Sequence, residues 1–295
     1  MNASRIALVT GANQGLGRAL VEGLAARMNP GDLVLLTGRD HRRVTDAARE
    51  AAQSPGTRAR VEGRVLDVTD TDAITRLADE LRVRHGGVDI VVSNAVARVL
   101  PEESQAERAD EFIDVSNTAT HAVLRSFGPL LRPGGRLLVV ASSLGTLGHL
   151  APRLHHLFDG ADLDQVEYAV ESWRNAIHHR TAREAGWPVW LNVPSKVAQV
   201  AAVRAVAAER REPDLANGTL LAAVCPGMVD TATSRPWFSD HSHAQSPAQA
   251  AEAVLDLILA EHVDPAHYGE LVRFGKALPW HDGAPLVEQD RLITP

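Results

Sequence analysis

Thr10-Gly11-Ala12-Asn13-Gln14-Gly15-Leu16-Gly17 is the stretch that decides the fold of this 295-residue chain. An apolar run over residues 6–10 leads into it, and residues 16–28 behind it carry apolar side chains at helical spacing. Strand, glycine-rich turn and helix, in that order, read as a dinucleotide-binding unit. The glycines allow a tight turn and let backbone approach a pyrophosphate, while the helix start offers unpaired N–H groups and the positive end of its dipole. The same composition also serves plain strand–helix connections, so the rest of the chain has to be read beside it.

Outward from that turn, strand-like runs at 33–37, 60–66, 89–93, 136–141, 219–224 and 271–274 alternate with helical stretches at 43–52, 71–85, 110–131, 195–211 and 248–261. Pro133-Gly134-Gly135 reads as the stop of the long helix. Such alternation predicts an α/β fold, a doubly wound parallel sheet of the Rossmann type with helices on both faces. One domain over residues 1–295 is expected. Two stretches exceed a minimal domain: residues 147–190, which hold a helical segment at 164–180 rich in charge and histidine, and residues 228–248, rich in Ser, His, Asp and Thr. Long connections at the carboxyl ends of strands usually shape a substrate site.

The formal net charge of −7 leaves no basic surplus for phosphate backbones, which argues against a nucleic-acid partner. Cys225 is the only cysteine, so no intramolecular disulfide forms, and a reducing cytoplasmic location is expected. Met1-Asn2-Ala3-Ser4-Arg5 runs straight into the first strand with no signal-peptide core, and no apolar run is long enough to span a bilayer. No HExxH or CxxC spacing suggests a metal site. Lysine is scarce, at Lys196 and Lys276 only, which makes the position of Lys196 more informative.

The spacing TGxxxGxG resembles that of the short-chain dehydrogenase/reductase family, and further pieces follow in the family's order. Asp67-Val68 resembles the adenine-contacting pair, Ser93-Asn94-Ala95-Val96 the NNAG segment, and Asn117 the helix asparagine of the proton relay. Ser142, in Ala141-Ser142-Ser143, stands where the catalytic serine belongs, and Lys196 where the helix lysine belongs. Pro226-Gly227-Met228-Val229-Asp230-Thr231 resembles the PG…T segment that holds the nicotinamide amide. Gly186-Trp187-Pro188, Gly269-Glu270-Leu271-Val272 and Trp280 extend the likeness toward monomeric carbonyl reductases of the menthone and salutaridine type. The resemblance implies a cofactor held by Gly11, Asn13, Gln14, Gly15, Leu16, Gly17, Asp67, Val68, Asn94, Ala95, Lys196, Pro226, Gly227, Val229 and Thr231, with Asn117, Ser142 and Lys196 at the reacting centre. Thr37-Gly38-Arg39 ends the second strand without an acidic residue, and a guanidinium there suits a 2′-phosphate, so NADP(H) is expected. Arg39 also reads as a solvated residue paired with Asp40.

The departure lies four residues before Lys196, where the family carries its proton-donating tyrosine and this chain has Asn192. An amide donates a hydrogen bond but releases no proton near neutral pH. Losing a positioned general acid costs about 10²–10⁴-fold. A blander role for Asn192 is an N-cap, since Pro194 belongs only in a first helical turn. Val96 replaces the usual glycine near the cofactor. Tyr168, His155, His156, His178 and His179 are candidate substitute acids, and Ser142 and Lys196 can polarise a carbonyl with water as proton source. Trp187, Trp190, Trp237 and Met228 read either as core or as the lining of a pocket for a bulky apolar substrate.

Three functions stand side by side. They are an NADPH-dependent reductase of a ketone, quinone or enone; a non-redox cyclase, dehydratase or isomerase on the same fold; and a catalytically silent NADP-binding module. The retained nicotinamide-serving pieces favour the first. Residues 147–190 would cover the helical face that relatives use to dimerise, so a monomer is expected.

Overall fold

The computed structural model describes residues 4–237, 240 and 242–283. Met1, Asn2 and Ala3, Phe238, Ser239 and His241 of the 228–248 loop, and residues 284–295 of the expected single domain lie outside the described residues.

The elements run β1 (Ile6–Val9), α1 (Gly15–Arg27), β2 (Leu33–Gly38), α2 (His41–Ala52), β3 (Arg60–Val65), α3 (Thr71–His85), β4 (Val88–Ser93), α4 (Gln105–Ile113) and α5 (Ala119–Phe127). They continue with β5 (Leu131–Val140), α6 (Leu163–His178), α7 (Ala182–Ala185), α8 (Asn192–Ala216), β6 (Leu220–Cys225), α9 (Pro247–Leu259), β7 (Leu271–Arg273) and β8 (Lys276–Leu278). One eight-stranded sheet has the order β3-β2-β1-β4-β5-β6-β7-β8. All neighbours are parallel except β7 and β8. The expected doubly wound architecture is the observed one. β1, β2 and β6 are buried along their whole length, which is why their sequences are continuous apolar runs rather than alternating ones. α1 packs with α2 and α9 on one side, and α3, α5 and α8 lie together on the other.

The expected long helix over 110–131 is instead two helices joined by a π turn at Asp114–Thr118. β5 begins earlier than expected: Val88 pairs with Leu131 and Ile90 with Arg136, so the Pro133-Gly134-Gly135 segment loops out of the ladder instead of stopping a helix. The hairpin strand β8 follows a turn in which Phe274 and Gly275 both have positive φ, the signature of a two-residue primed turn.

α6 lies outside the sheet layers, against α4 and α8. Its N-terminus is closed by a reciprocal capping box between Asp162 and Gln165. Across the α5–α6 contact His121 is buried, with Nδ1 3.9 Å from Glu167 Oε1. Burial outweighs that carboxylate and pushes the imidazole down to about 4. The unfolded chain therefore takes up this proton near the ordinary histidine value, and the folded chain only near 4. Stability that His121 contributes above pH 6.5 is lost as the pH falls toward 4. Thermal unfolding of wild type against His121→Leu is expected to show an extra loss on the order of 3 kcal/mol in the wild type between pH 7 and pH 4. Equal pH dependence in the two chains would contradict it.

Candidate active site

The crevice forms where the strand order reverses, between β1 and β4, the usual ligand position in doubly wound sheets. One threonine ties the two strand ends together. Thr10 Oγ1 accepts from the backbone N–H of Asn94 at 2.9 Å and of Ala95 at 3.1 Å. Asn94 Nδ2 donates back to the carbonyls of Thr10 at 2.9 Å and Gly11 at 3.2 Å. The glycines of the turn are required by this seam. Gly11 has φ +61°, and a Cβ on it would lie 2.8 Å from Ala95 Cα; a Cβ on Gly17 would lie 2.5 Å from Asn94 Nδ2 and 2.8 Å from Gly11 O. α1 starts at Gly15 with no side-chain cap from Gln14 and no acidic residue in its first turn. By contrast Asp40, Asp70 and Ser104 cap α2, α3 and α4. The first N–H groups of α1 are thus left for an anion.

The Pro226–Thr231 segment reaches the same turn, since a Cβ on Gly15 would be 3.6 Å from the Thr231 methyl. It is held by the Asp230 N–H to Gln245 O bond at 2.8 Å, by Gln245 N–H to Met228 O at 2.9 Å, and by Ser234 Oγ, which accepts from Thr231 N–H at 3.0 Å. Arg39 is 67% exposed and reaches Glu111 at 3.4 Å; the expected pairing with Asp40 does not form, because the Asp40 carboxylate caps α2. A second guanidinium, Arg43, donates to Gln14 Oε1 at 2.5 Å and so stands beside the glycine turn. Sequence reading missed it; a second arginine in the first turn of the helix that follows Arg39 was the available signal. Asp67 is exposed and accepts from Thr69 N–H and Oγ1, with Val68 buried beneath it.

Ser142 follows β5, and its Oγ accepts from Leu144 N–H at 3.3 Å. The serine turn lies directly on α8: a Cβ on Gly145 would be 2.9 Å from Lys196 O. Lys196 is buried, and Nζ donates to Val140 O at 3.1 Å and Gln199 Oε1 at 2.7 Å. Burial lowers its ammonium to about 8, and negative charge on the Cys225 sulfur would act in the other direction. Asn117, in the π turn, is fully buried and donates through Nδ2 to Ser195 O at 3.0 Å. Its Oδ1 and the hydroxyls of Ser116 and Ser195 are buried without a protein partner.

Asn192 is the first residue of α8, half-buried and one turn before Lys196 on the same helix face. It does not cap the helix, as the bland reading expected. Leu191 occupies the cap position, and its N–H donates to Gln105 Oε1 at 3.2 Å. Pro194 is tolerated because it falls in the first turn, where its missing N–H is not needed. Neither tyrosine of the chain stands near Lys196 as a partner. Tyr168 is 74% exposed on α6, and Tyr268 is buried against Asp214 at 2.7 Å, its hydroxyl pushed well above its ordinary range. Among the candidate histidines, His155 is bound to Leu150 O, His178 to Asp110 and His179 to Asn175 O, while His156 is exposed on a short 3-10 turn. Trp187 is core, packed on Trp173 and Phe158. Trp190 and Trp237 pair with ring centres 5.7 Å apart, and Trp237 Nε1 donates to Val99 O at 3.0 Å, so this pair joins the post-β4, pre-α8 and post-β6 connections. Met228 is half-buried, and Val96 is 43% exposed at the crevice edge.

Comparison with known proteins agrees with this geometry. The family model described as short chain dehydrogenase matches residues 5–151. Carbonyl reductase [NADPH] 1 of Sus scrofa is 32% identical over 292 residues, covering 94% of both chains. Among solved structures, salutaridine reductase from Papaver somniferum superposes with a TM-score of 0.75 at 21% identity, over 90% of this chain and 99% of that one. Menthone neomenthol reductase from Mentha piperita gives 0.73 at 22% identity, over 93% and 100%. The chain belongs to the short-chain dehydrogenase/reductase family.

The glycine seam makes a direct prediction. Gly17→Ala is expected to weaken dinucleotide binding by roughly tenfold or more in a fluorescence titration, while Gly31→Ala, where a Cβ meets nothing within 4 Å, leaves it unchanged. Equal affinities would remove the cradle from the account.

Proposed function

We propose that this chain is an NADPH-dependent reductase of a bulky, apolar ketone, quinone or enone, working without the family tyrosine. The residues fit the cofactor. A crevice that admits no Cβ at Gly11 or Gly17 and an uncapped α1 suit a pyrophosphate, and Arg39 and Arg43 suit a 2′-phosphate. Asn13, Gln14, Leu16, Asp67, Val68, Asn94 and Ala95 would line the adenosine half, and Lys196, Pro226, Gly227, Val229 and Thr231 the nicotinamide half. Relatives named for carbonyl reduction with NADPH support the cofactor and the reaction class. When bound, NADPH supplies the hydride.

The chain's own residues do the rest. The Ser142 hydroxyl hydrogen-bonds the carbonyl oxygen, and the Asn192 amide offers a second neutral donor. The proton comes from Lys196, whose ammonium has been brought into the useful range for a general acid by burial. Its N–H bond breaks as the new O–H forms, and the neutral amine regains its proton from solvent. The observation that carries this reading is a buried lysine beneath the serine turn in a chain whose two tyrosines are both engaged or exposed elsewhere. Trp190, Trp237 and Met228 would face an apolar substrate.

NADPH consumption by wild type and by Asn192→Tyr, against bulky ketones and quinones, tests the reading. The wild type is expected to turn over, and the variant to gain up to about 10²–10⁴-fold. Turnover by the variant alone would sink it in favour of non-redox chemistry, to be sought as a product of unchanged oxidation state. With α6 over α4 and α8, we further propose a cytoplasmic monomer. Sedimentation as a single chain is expected, and a stable dimer would refute it.

A further inference from the structure

Lys196 is buried without a carboxylate partner, and the polar group that meets it is not one the family resemblance supplies. Gln199 follows it by three residues, so the two side chains share a face of α8. Gln199 is 2% exposed in a helix otherwise buried on that side by alanine and valine. Its Nε2 donates to Ser116 O at 2.7 Å and to Thr120 Oγ1 at 3.1 Å. Thr120 Oγ1 itself donates to Ser116 O at 2.7 Å, which leaves its lone pair for Gln199. The Ser116 carbonyl can only accept, so the amide cannot turn over: nitrogen faces the π turn and oxygen faces the Lys196 ammonium. Ser116 lies in the π turn at Asp114–Thr118 and Thr120 in the first turn of α5.

We propose that Gln199 is a positioning residue for the active site: its amide oxygen and the Val140 carbonyl take two of the three Lys196 N–H bonds and leave the third to act in the cleft. The catalytic part of this role rests on the reductase reading above; the hold on Lys196 does not. Gln199 does not touch the reacting atoms. It keeps a desolvated lysine protonated by giving it a fixed neutral acceptor, and it fixes where the ammonium sits. Cys225 on β6 is the ionisable group that faces Lys196 among the described residues, and it acts electrostatically only when its sulfur is ionised. The π turn and α5 present neutral Ser116, Asn117 and Thr120; β5 presents the Val140 carbonyl and the serine turn Gly145.

The chain has two lysines, so lysine labelled with ¹³C at Cε gives two resonances, one from buried Lys196 and one from exposed Lys276. Titrating both by NMR in wild type, Gln199→Met and Gln199→Glu separates the hold from the chemistry. Gln199→Met is expected to lower the Lys196 midpoint by about one pH unit, through loss of a charge-assisted hydrogen bond. Gln199→Glu is expected to raise it above wild type. Near-UV circular dichroism and a cooperative thermal transition like those of wild type show that each variant is folded. A Lys196 midpoint in Gln199→Met equal to that of wild type overturns the proposal. NADPH oxidation near pH 8 should fall in Gln199→Met through kcat, and recover in Gln199→Glu. Moved midpoints in a chain that oxidises no NADPH would support the hold and defeat the reductase reading alone.

Discussion

Burying one ammonium without a countercharge is the constraint around which this end of the molecule is arranged. An isolated charge out of water is costly, and the chain meets that cost with neutral oxygens rather than a carboxylate. Val140 O comes from the last residue of β5 and Gln199 Oε1 from α8 itself. For Gln199 to present oxygen, its nitrogen must be satisfied elsewhere, which calls for the Ser116 carbonyl and Thr120 hydroxyl on the neighbouring helix. Ser116 lies in the π turn and Thr120 in the first turn of α5, and from the same π turn Asn117 donates to Ser195 O. Two cross-helix amide bonds therefore join α5 and its π turn to α8, one on either side of Lys196. Gly145 then lets the serine turn lie on the lysine's own backbone.

The second constraint sits at the other end of the crevice. Thr10 and Asn94 lock the tips of β1 and β4, the two strands from which the chain winds in opposite directions. Each uses its side chain on the other's backbone, so the gap between the strand ends keeps a fixed width. The glycines at 11 and 17 are the spaces this lock leaves. The glycine turn and the lysine site are thus set by separate polar seams, bridged by the Thr231 contact with Gly15 and by β5, which pairs with β4, ends at Val140 and leads into Ser142.

Much of this was legible in the residues. Buried parallel strands announce themselves as apolar runs, and glycines that backbone must approach cannot be anything else. Asp70 and Asp162 sit where helix caps belong, and α3 and α6 start beside them. What was not legible depends on a single inserted residue or on a distant partner. A π turn leaves the apolar pattern almost unchanged, so the stretch 110–131 reads as one helix. Pro133-Gly134-Gly135 reads as a stop in sequence, and only the β4 ladder turns it into a bulge within β5. Asn192 looked like a cap because Pro194 limits the helix, yet Gln105 from α4 satisfies Leu191 N–H and the helix starts without one. Gln199 disappeared into an alanine-rich helix. The signal that would have found it was a polar residue one turn after the only lysine in that helix, on the face directed to the core.

The central claim is that Lys196, held in this seam, is the proton donor. The most direct measurement is the pH dependence of NADPH-driven turnover by wild type with its best carbonyl substrate, followed through the alkaline range, with Lys196→Met alongside. A lysine acid brought down to about 8 predicts a rate that falls roughly tenfold per pH unit above that value, and a methionine variant without turnover. A rate that stays level up to pH 10, or a methionine variant that keeps its turnover, would contradict the account.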